Sequence, residues 1–240
     1  MTNIANEEDL YRILARGVKS KMDAAILLIL SSSGMPATFI QKLTMTQLLE
    51  ACDYFFEPGQ NRSLRSIMYT DPVKDNRFPC FDFKNDRSPR IACCSPKALK
   101  VTFQYLNHRY YEKYDNDYLF INKEGNPIAD TEYITTLLRK AKKEVGKYTP
   151  DGAPDIGVNS IKNRFWHICE NNLQGRYKQQ VISLMKGEDS AANRNFYRDI
   201  KHDKRVLIEH YETVIDYLAI RSEDDRINRP TIQLTPNFTY

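Results

Sequence analysis

The sequence predicts a mixed fold, mainly α, with one small antiparallel sheet. Three observations carry that reading. Apolar residues recur at helical spacing along most of the 240-residue chain. One stretch, FPCFDFKNDRSPRIACC at 78–94, instead alternates like a β-hairpin. No Pro/Gly/Ser-rich or charge-biased linker separates one part of the chain from another, so residues 1–221 read as one unit and 222–240 as a polar tail interrupted by TIQL.

The elements follow in order. EEDLYRILARG at 7–17 places Leu10, Ile13 and Leu14 on one face, with Asn6 as cap and Gly17 as stop. Residues 20–32 form an almost wholly apolar helix that must lie in the core. After the Gly34-Met35-Pro36 break come two short helices, TFIQKL and TQLLEACDYFF, the second capped by Thr44 or Thr46. Residues 57–78 lack periodicity and are expected to be irregular. The hairpin pairs 79–84 with 89–94, and sets Cys80, Asp82 and Lys84 on one face against Phe81 and Phe83 on the other. Ser95-Pro96 caps and starts a helix through ALKVTFQYLNHRYY. DYLFIN reads as a short strand and KEGNP as a turn. Helices are expected over DTEYITTLLRKAKKEVG, NSIKNRFWHICENNL, KQQVISLMKG, AANRNFYRDI and KRVLIEHYETVIDYL.

Composition excludes some classes of protein. The longest apolar block, AAILLIL at 24–30, is too short to span a bilayer. The N-terminus is polar and acidic, unlike a signal peptide, which points to the cytoplasm. Five cysteines form no CxxC pair and leave an odd number, as expected of reduced, buried thiols. The formal net charge of +4 is compatible with nucleic acid without specifying it.

The ordered set of pieces resembles the catalytic domain of the tyrosine recombinases, the phage-type integrases, and in particular their archaeal branch. The resemblance rests on the apolar helix with its Ser-Gly-Met turn, a short helix ending in LT, and the hairpin bearing a lysine. SPKAL…YLNHR, LFINKEGNPI, an arginine-bearing helix, VISLMKG and the tyrosine of NRNFY follow in the same order. It covers roughly residues 5–220. The resemblance implies action on double-stranded DNA without metal or other cofactor: a tyrosine hydroxyl attacks a phosphodiester, two arginines clamp the non-bridging oxygens, and a hairpin lysine protonates the leaving oxygen.

Mapped onto this chain, the resemblance makes Tyr197 the nucleophile, ten residues past Gly187, although with fifteen tyrosines present it could also be an ordinary packed ring. Arg164, 33 residues before Tyr197, is the candidate second clamp, and Lys84 the candidate acid or else a solvated hairpin lysine. The family's His-x-x-Arg pattern reads Ile161-x-x-Arg164 here, with His167 one turn further on; a register slip of one would put Asn163 in the arginine place. Glu188 follows Gly187 where the family usually carries histidine. Pro36 or Ala37 occupies the place of the first arginine, with Phe39 in place of its acidic brace, and Arg62 and Arg65 lie too far along to replace them.

The DNA-facing candidates are Arg87 and Arg90 on the hairpin, and Arg139, Lys140, Lys142 and Lys143 at the end of a helix, where a solvated basic C-terminus is the competing explanation. The reading is therefore a DNA-binding member of the recombinase family, impaired or inactive in cutting. Its partners would be DNA, further copies of itself or an active relative, and its tail could be exchanged with a neighbour. An active recombinase using Tyr197, Arg164 and Lys84 is the alternative, and an unrelated helical interaction protein the third.

Overall fold

The computed structural model describes residues 3–57, 59–84, 88–109, 116–128, 132–148 and 152–220. Arg87 and the tail at 222–240 lie outside the described residues. The fold is mainly helical with one two-stranded antiparallel sheet, as the sequence predicts.

Helix α1 (Glu7–Arg12) starts where the Asn6 side chain accepts the Glu8 N–H at 2.9 Å. The continuous helix expected to Gly17 instead widens into a π-turn, Ile13–Gly17. Gly17 itself touches the next layer so closely that a Cβ there would lie 2.7 Å from the Ala141 carbonyl oxygen. Helix α2 (Lys21–Ser33), capped by Ser20, is buried along every position from Ala24 to Ser33. It stops at Gly34, which takes the left-handed conformation that L side chains resist (φ 62°). Helices α3 (Ala37–Gln41) and α4 (Met45–Ala51) follow, and Thr44 and Gln47 close a reciprocal capping box on α4. A 3₁₀ turn, Asp53–Phe55, ends this part.

The segment expected to be irregular contains a short helix, α5 (Leu64–Met68), capped by Ser63 and anchored by buried Ile67. Five residues with one buried side chain leave no periodicity to detect. Strands β1 (Cys80–Phe83) and β2 (Arg90–Cys93) pair Cys80 with Cys93 and Phe83 with Arg90. Helix α6 (Pro96–Arg109) starts with Ser95 accepting the Ala98 N–H. The strand expected in DYLFIN is replaced by two isolated bridges, Thr44 with Tyr118 and Ile121 with Pro127. Its backbone is bound by Leu43 and by Arg109, whose guanidinium donates to the Leu119 carbonyl at 2.8 Å. The remaining helices are α7 (Tyr133–Gly146), α8 (Val158–Asn172), α9 (Lys178–Lys186), α10 (Ala191–Ile200) and α11 (Arg205–Leu218).

Two hydrophobic clusters form the interior. One surrounds α2, with α6, α7 and the α3–α4 segment. The other joins the hairpin's Cys80, Ile91 and Cys93 to α8, α9 and α11 around Phe78, Phe165 and Tyr211. Helix α8 bridges them, giving Ile161 to the first and Phe165 and Cys169 to the second. All five cysteines are buried and unbonded, although Cys80 and Cys93 face each other across the sheet with sulfurs 2.8 Å apart. Burial pushes the Cys52, Cys93 and Cys94 thiols well up and Cys169 to about 12. No helix among the described residues is long and apolar enough to cross a membrane.

Two predictions follow from this packing. A Gly34→Ala variant forces a side chain into the left-handed region and puts its Cβ 2.3 Å from the Phe165 ring. It should lose about 2 kcal/mol or more, read as a lower urea midpoint at unchanged slope. The buried thiols of Cys52, Cys93, Cys94 and Cys169 should resist iodoacetamide at pH 8 until denaturant unfolds the chain; prompt native-state alkylation of these four would contradict their burial.

Candidate functional site

Asp82 in β1 and Lys84, one residue past its end, face the same side of the hairpin, where both line the same cavities. Helix α10, whose Ser190 cap accepts the Asn193 N–H, carries Tyr197 toward that side. The phenol hydroxyl of Tyr197 donates to Asp82 Oδ1 at 3.0 Å, joining residues 115 positions apart. Asn193 ties the start of α10 down through Nδ2, donating to the Glu188 and Pro89 carbonyls.

Tyr197, Asp82 and Lys84 line a cavity of about 930 Å³ between β1, α4 and the α10–α11 turn. Lys201, His202, Lys204 and Arg205 come from that turn, and Arg62 and Tyr54 close the far side. Two of its cations are already matched: Arg62 pairs with Asp53 at 2.6 Å, and Arg205 pairs with Asp203. Arg205 also holds the Asp203 carboxyl down at about 2. Lys204 reaches the Cys80 carbonyl at 3.3 Å. Glu50 and Asp82 are the other carboxylates on the wall. The cavity thus presents lysines and a phenol alongside two carboxylates, a mixture suited to holding an anion near the tyrosine but not to clamping it bidentately.

A second cavity of about 450 Å³ shares Glu50, Asp82 and Lys84 with the first. Phe39, Phe83, Gln47, Ser88, Arg90 and Gly187 complete it. The Arg90 guanidinium lies 5.2 Å from the Phe39 ring centre and donates to the Lys186 carbonyl at the end of α9. That approach is possible because Gly187 has no side chain; a Cβ there would lie 2.7 Å from Arg90 Nε.

The residues singled out from sequence fall in different places. Tyr197 and Lys84 meet in one cavity, and Arg90 lies in its neighbour. Arg164 lines neither. It is buried, with Nη2 3.5 Å from Glu7 Oε2 and 3.4 Å from the Tyr217 carbonyl, so it joins α1, α8 and α11. Asn163 donates to the Asn3 carbonyl, Ile161 is buried, and His167 is exposed beside Asn171. Glu188 accepts from Ser183 at 2.8 Å and lines neither cavity. On α7, Arg139, Lys140 and Lys143 are exposed, while Lys142 is half-buried with Nζ 4.0 Å from Asp155. That helix packs on the π-turn, α2 and α8, whereas the hairpin packs on α4, α9 and α2. Asp82 and the turn residues Lys201, His202 and Lys204 were not singled out in the sequence; the Asp82-Lys84 alternation was the one visible signal for Asp82. Among the described residues, no group of three or more His, Cys, Asp or Glu side chains is placed to hold a metal ion.

Comparison with known proteins adds the fold class. The crystal structure of XerA recombinase superposes with a TM-score of 0.54 at 17% identity, over 83% of this chain and 65% of that one. The crystal structure of XerH site-specific recombinase, bound to palindromic difH substrate as a post-cleavage complex, gives 0.48 at 15% identity, over 87% and 52%. The chain has the tyrosine-recombinase catalytic fold and spans less than two thirds of either recombinase. No protein-family model and no curated protein matches the sequence.

Removing the partly buried ion pair gives a direct check on Arg164. Arg164→Ala removes the guanidinium that joins α1, α8 and α11 and should cost about 2 kcal/mol in urea unfolding.

Proposed function

We propose that this chain is a DNA-binding protein of the tyrosine-recombinase type whose own strand-cutting chemistry is suppressed. The single observation that carries the proposal is the hydrogen bond from Tyr197 to the Asp82 carboxylate inside a lysine-lined cavity. A cutting site must neutralise the charge that builds on the phosphate oxygens as the phenol attacks. Here the residues around the phenol include two carboxylates, Asp82 and Glu50. A phosphodiester about 4 Å from one such charge is repelled by about 1 kcal/mol in water, and by about 4 kcal/mol at the lower effective dielectric of a protein surface.

Three arginines that could offset this repulsion are occupied elsewhere, and Arg90 lies in the neighbouring cavity. Arg164 is buried against Glu7, while Arg62 and Arg205 face Asp53 and Asp203. Lys84, Lys201 and Lys204 still attract a phosphate, but as point charges without the guanidinium's fixed fork. These losses act on one transition state and need not add, yet each opposes the same step. Binding therefore survives better than cutting. In this reading the chemistry at an assembled DNA site comes from an active recombinase, and the chain contributes duplex contacts.

A second reading, a working recombinase with Tyr197 as nucleophile and Lys84 as acid, draws support from the two residues sharing a cavity. The experiment that separates the two uses nicked suicide DNA resolved on a denaturing gel. No covalent adduct, with retention of the same DNA in a shift assay, is the expected result. An adduct that vanishes in Tyr197→Phe would overturn the suppressed reading in favour of the second. Retention should fall steeply with salt, and Lys201→Ala should reduce the slope of log K against log salt by about 0.9, the share of one phosphate contact. Asp82→Asn removes a like charge and should tighten duplex binding about fivefold at low salt.

A further inference from the structure

We infer that the smaller cavity beside Tyr197 is a nucleobase pocket, which takes an unstacked base from the strand whose phosphate lies over Lys84. The inference rests on the DNA-binding reading and deepens it by naming the part of the nucleic acid that the site receives.

Four features of the cavity support this occupant. Its ring, Phe39, is 36% exposed, whereas the phenylalanines Phe78, Phe81, Phe120 and Phe165 are buried. That ring packs edge to face with Phe83 at a centroid distance of 4.9 Å, with the Arg90 guanidinium 5.2 Å from its centre. Arg90 is fixed in turn by the Lys186 carbonyl and by the space above Gly187. An aromatic ring packed on its neighbours and a flat guanidinium are surfaces on which a base can stack.

The rim supplies polar partners of both kinds. Gln47 commits its Oε1 to the Thr44 N–H, which leaves its amide nitrogen as the donor. Glu50 offers a carboxylate acceptor, and Ser88 a hydroxyl that serves either way. The volume, about 450 Å³, accommodates a base with its sugar. Finally, the wall of Glu50, Asp82 and Lys84 is common to both cavities, so a nucleotide can place its base on one side and its phosphate among the lysines on the other. A stack on Phe39 would be indifferent to the missing arginine clamp, because every base has a π-face and no charge is required.

The test compares 2′-deoxyguanosine 5′-monophosphate with 2-deoxyribose 5-phosphate, which has the same anion without a base, by NMR titration of the full chain. The nucleotide is expected to bind at least tenfold more tightly. Phe39→Ala should abolish that advantage, and Phe39→Trp should restore it; circular dichroism of both variants shows that they remain folded. Equal binding of the two ligands, or binding of neither, overturns the pocket, as does an advantage that survives Phe39→Ala. Duplex retention measured on the same preparations separates this inference from the reading beneath it. Salt-sensitive retention without a base advantage leaves DNA binding standing and removes the pocket, whereas a base advantage without duplex retention upholds the pocket and removes the duplex reading.

Discussion

The burial of α2 is the constraint on which the other layers depend. A helix with no exposed face from Ala24 to Ser33 must be covered on all sides, and α6, α7, α8 and the α3 turn supply the cover. Its last turn is polar as well as buried, and the polarity is fully used. The hydroxyls of Ser31 and Ser32 both donate to the Leu28 carbonyl, and that of Ser33 donates to Ile29. Ser32 Oγ then accepts the Ser95 N–H at 3.0 Å, and its carbonyl takes the Tyr211 hydroxyl at 2.5 Å. One serine therefore fixes the position of the segment after the hairpin and of the last helix. Buried groups satisfied in this way specify geometry more than they add stability, since each bond replaces one to water.

From that anchor the site is assembled at a distance. The hairpin leaves the α2 terminus through Cys94 and Ser95, and α11 returns to it through Tyr211. The α10–α11 turn, with Lys201, His202 and Lys204, is therefore brought to the hairpin by elements tied to the same residue. Gly34 and Gly187, both left-handed, end α2 and α9 where Phe165 and Arg90 come closest. The opening segment at Pro36–Phe39 turns into this space without an arginine and delivers a ring instead.

Two arginines singled out in the sequence, Arg90 as a DNA-facing candidate and Arg164 as the clamp the resemblance implies, illustrate how charge and position separate. Arg90 carries its cation at the edge of a cavity, where partial burial lowers its pKa through desolvation. Arg164 lies at nearly the expected interval from Tyr197, yet its guanidinium is spent inside the fold on Glu7 and the Tyr217 carbonyl. A partly buried pair of this kind contributes modestly beyond an apolar replacement. Its role here is to hold α1 against α8 and α11.

The sequence by itself determined the order of the long helices, the two strands of the hairpin and the caps at Asn6 and Ser95, and narrowed the α4 cap to Thr44 or Thr46. Each rests on a local rule: helical spacing, strand alternation, or a side chain that reaches its own backbone. It also placed Lys84 and Tyr197 in positions that converge. It missed α5, because a single buried side chain makes no pattern, and it over-read DYLFIN, whose backbone finds partners in Leu43 and Arg109 rather than in a strand of its own. Only the tertiary structure decided that Asp82 receives the Tyr197 hydroxyl, that Arg164 turns inward, and that Phe39, Arg90 and Gly187 enclose a second cavity. Those contacts join residues tens to more than a hundred positions apart, and direction in space is set by packing around α2, which no local pattern encodes.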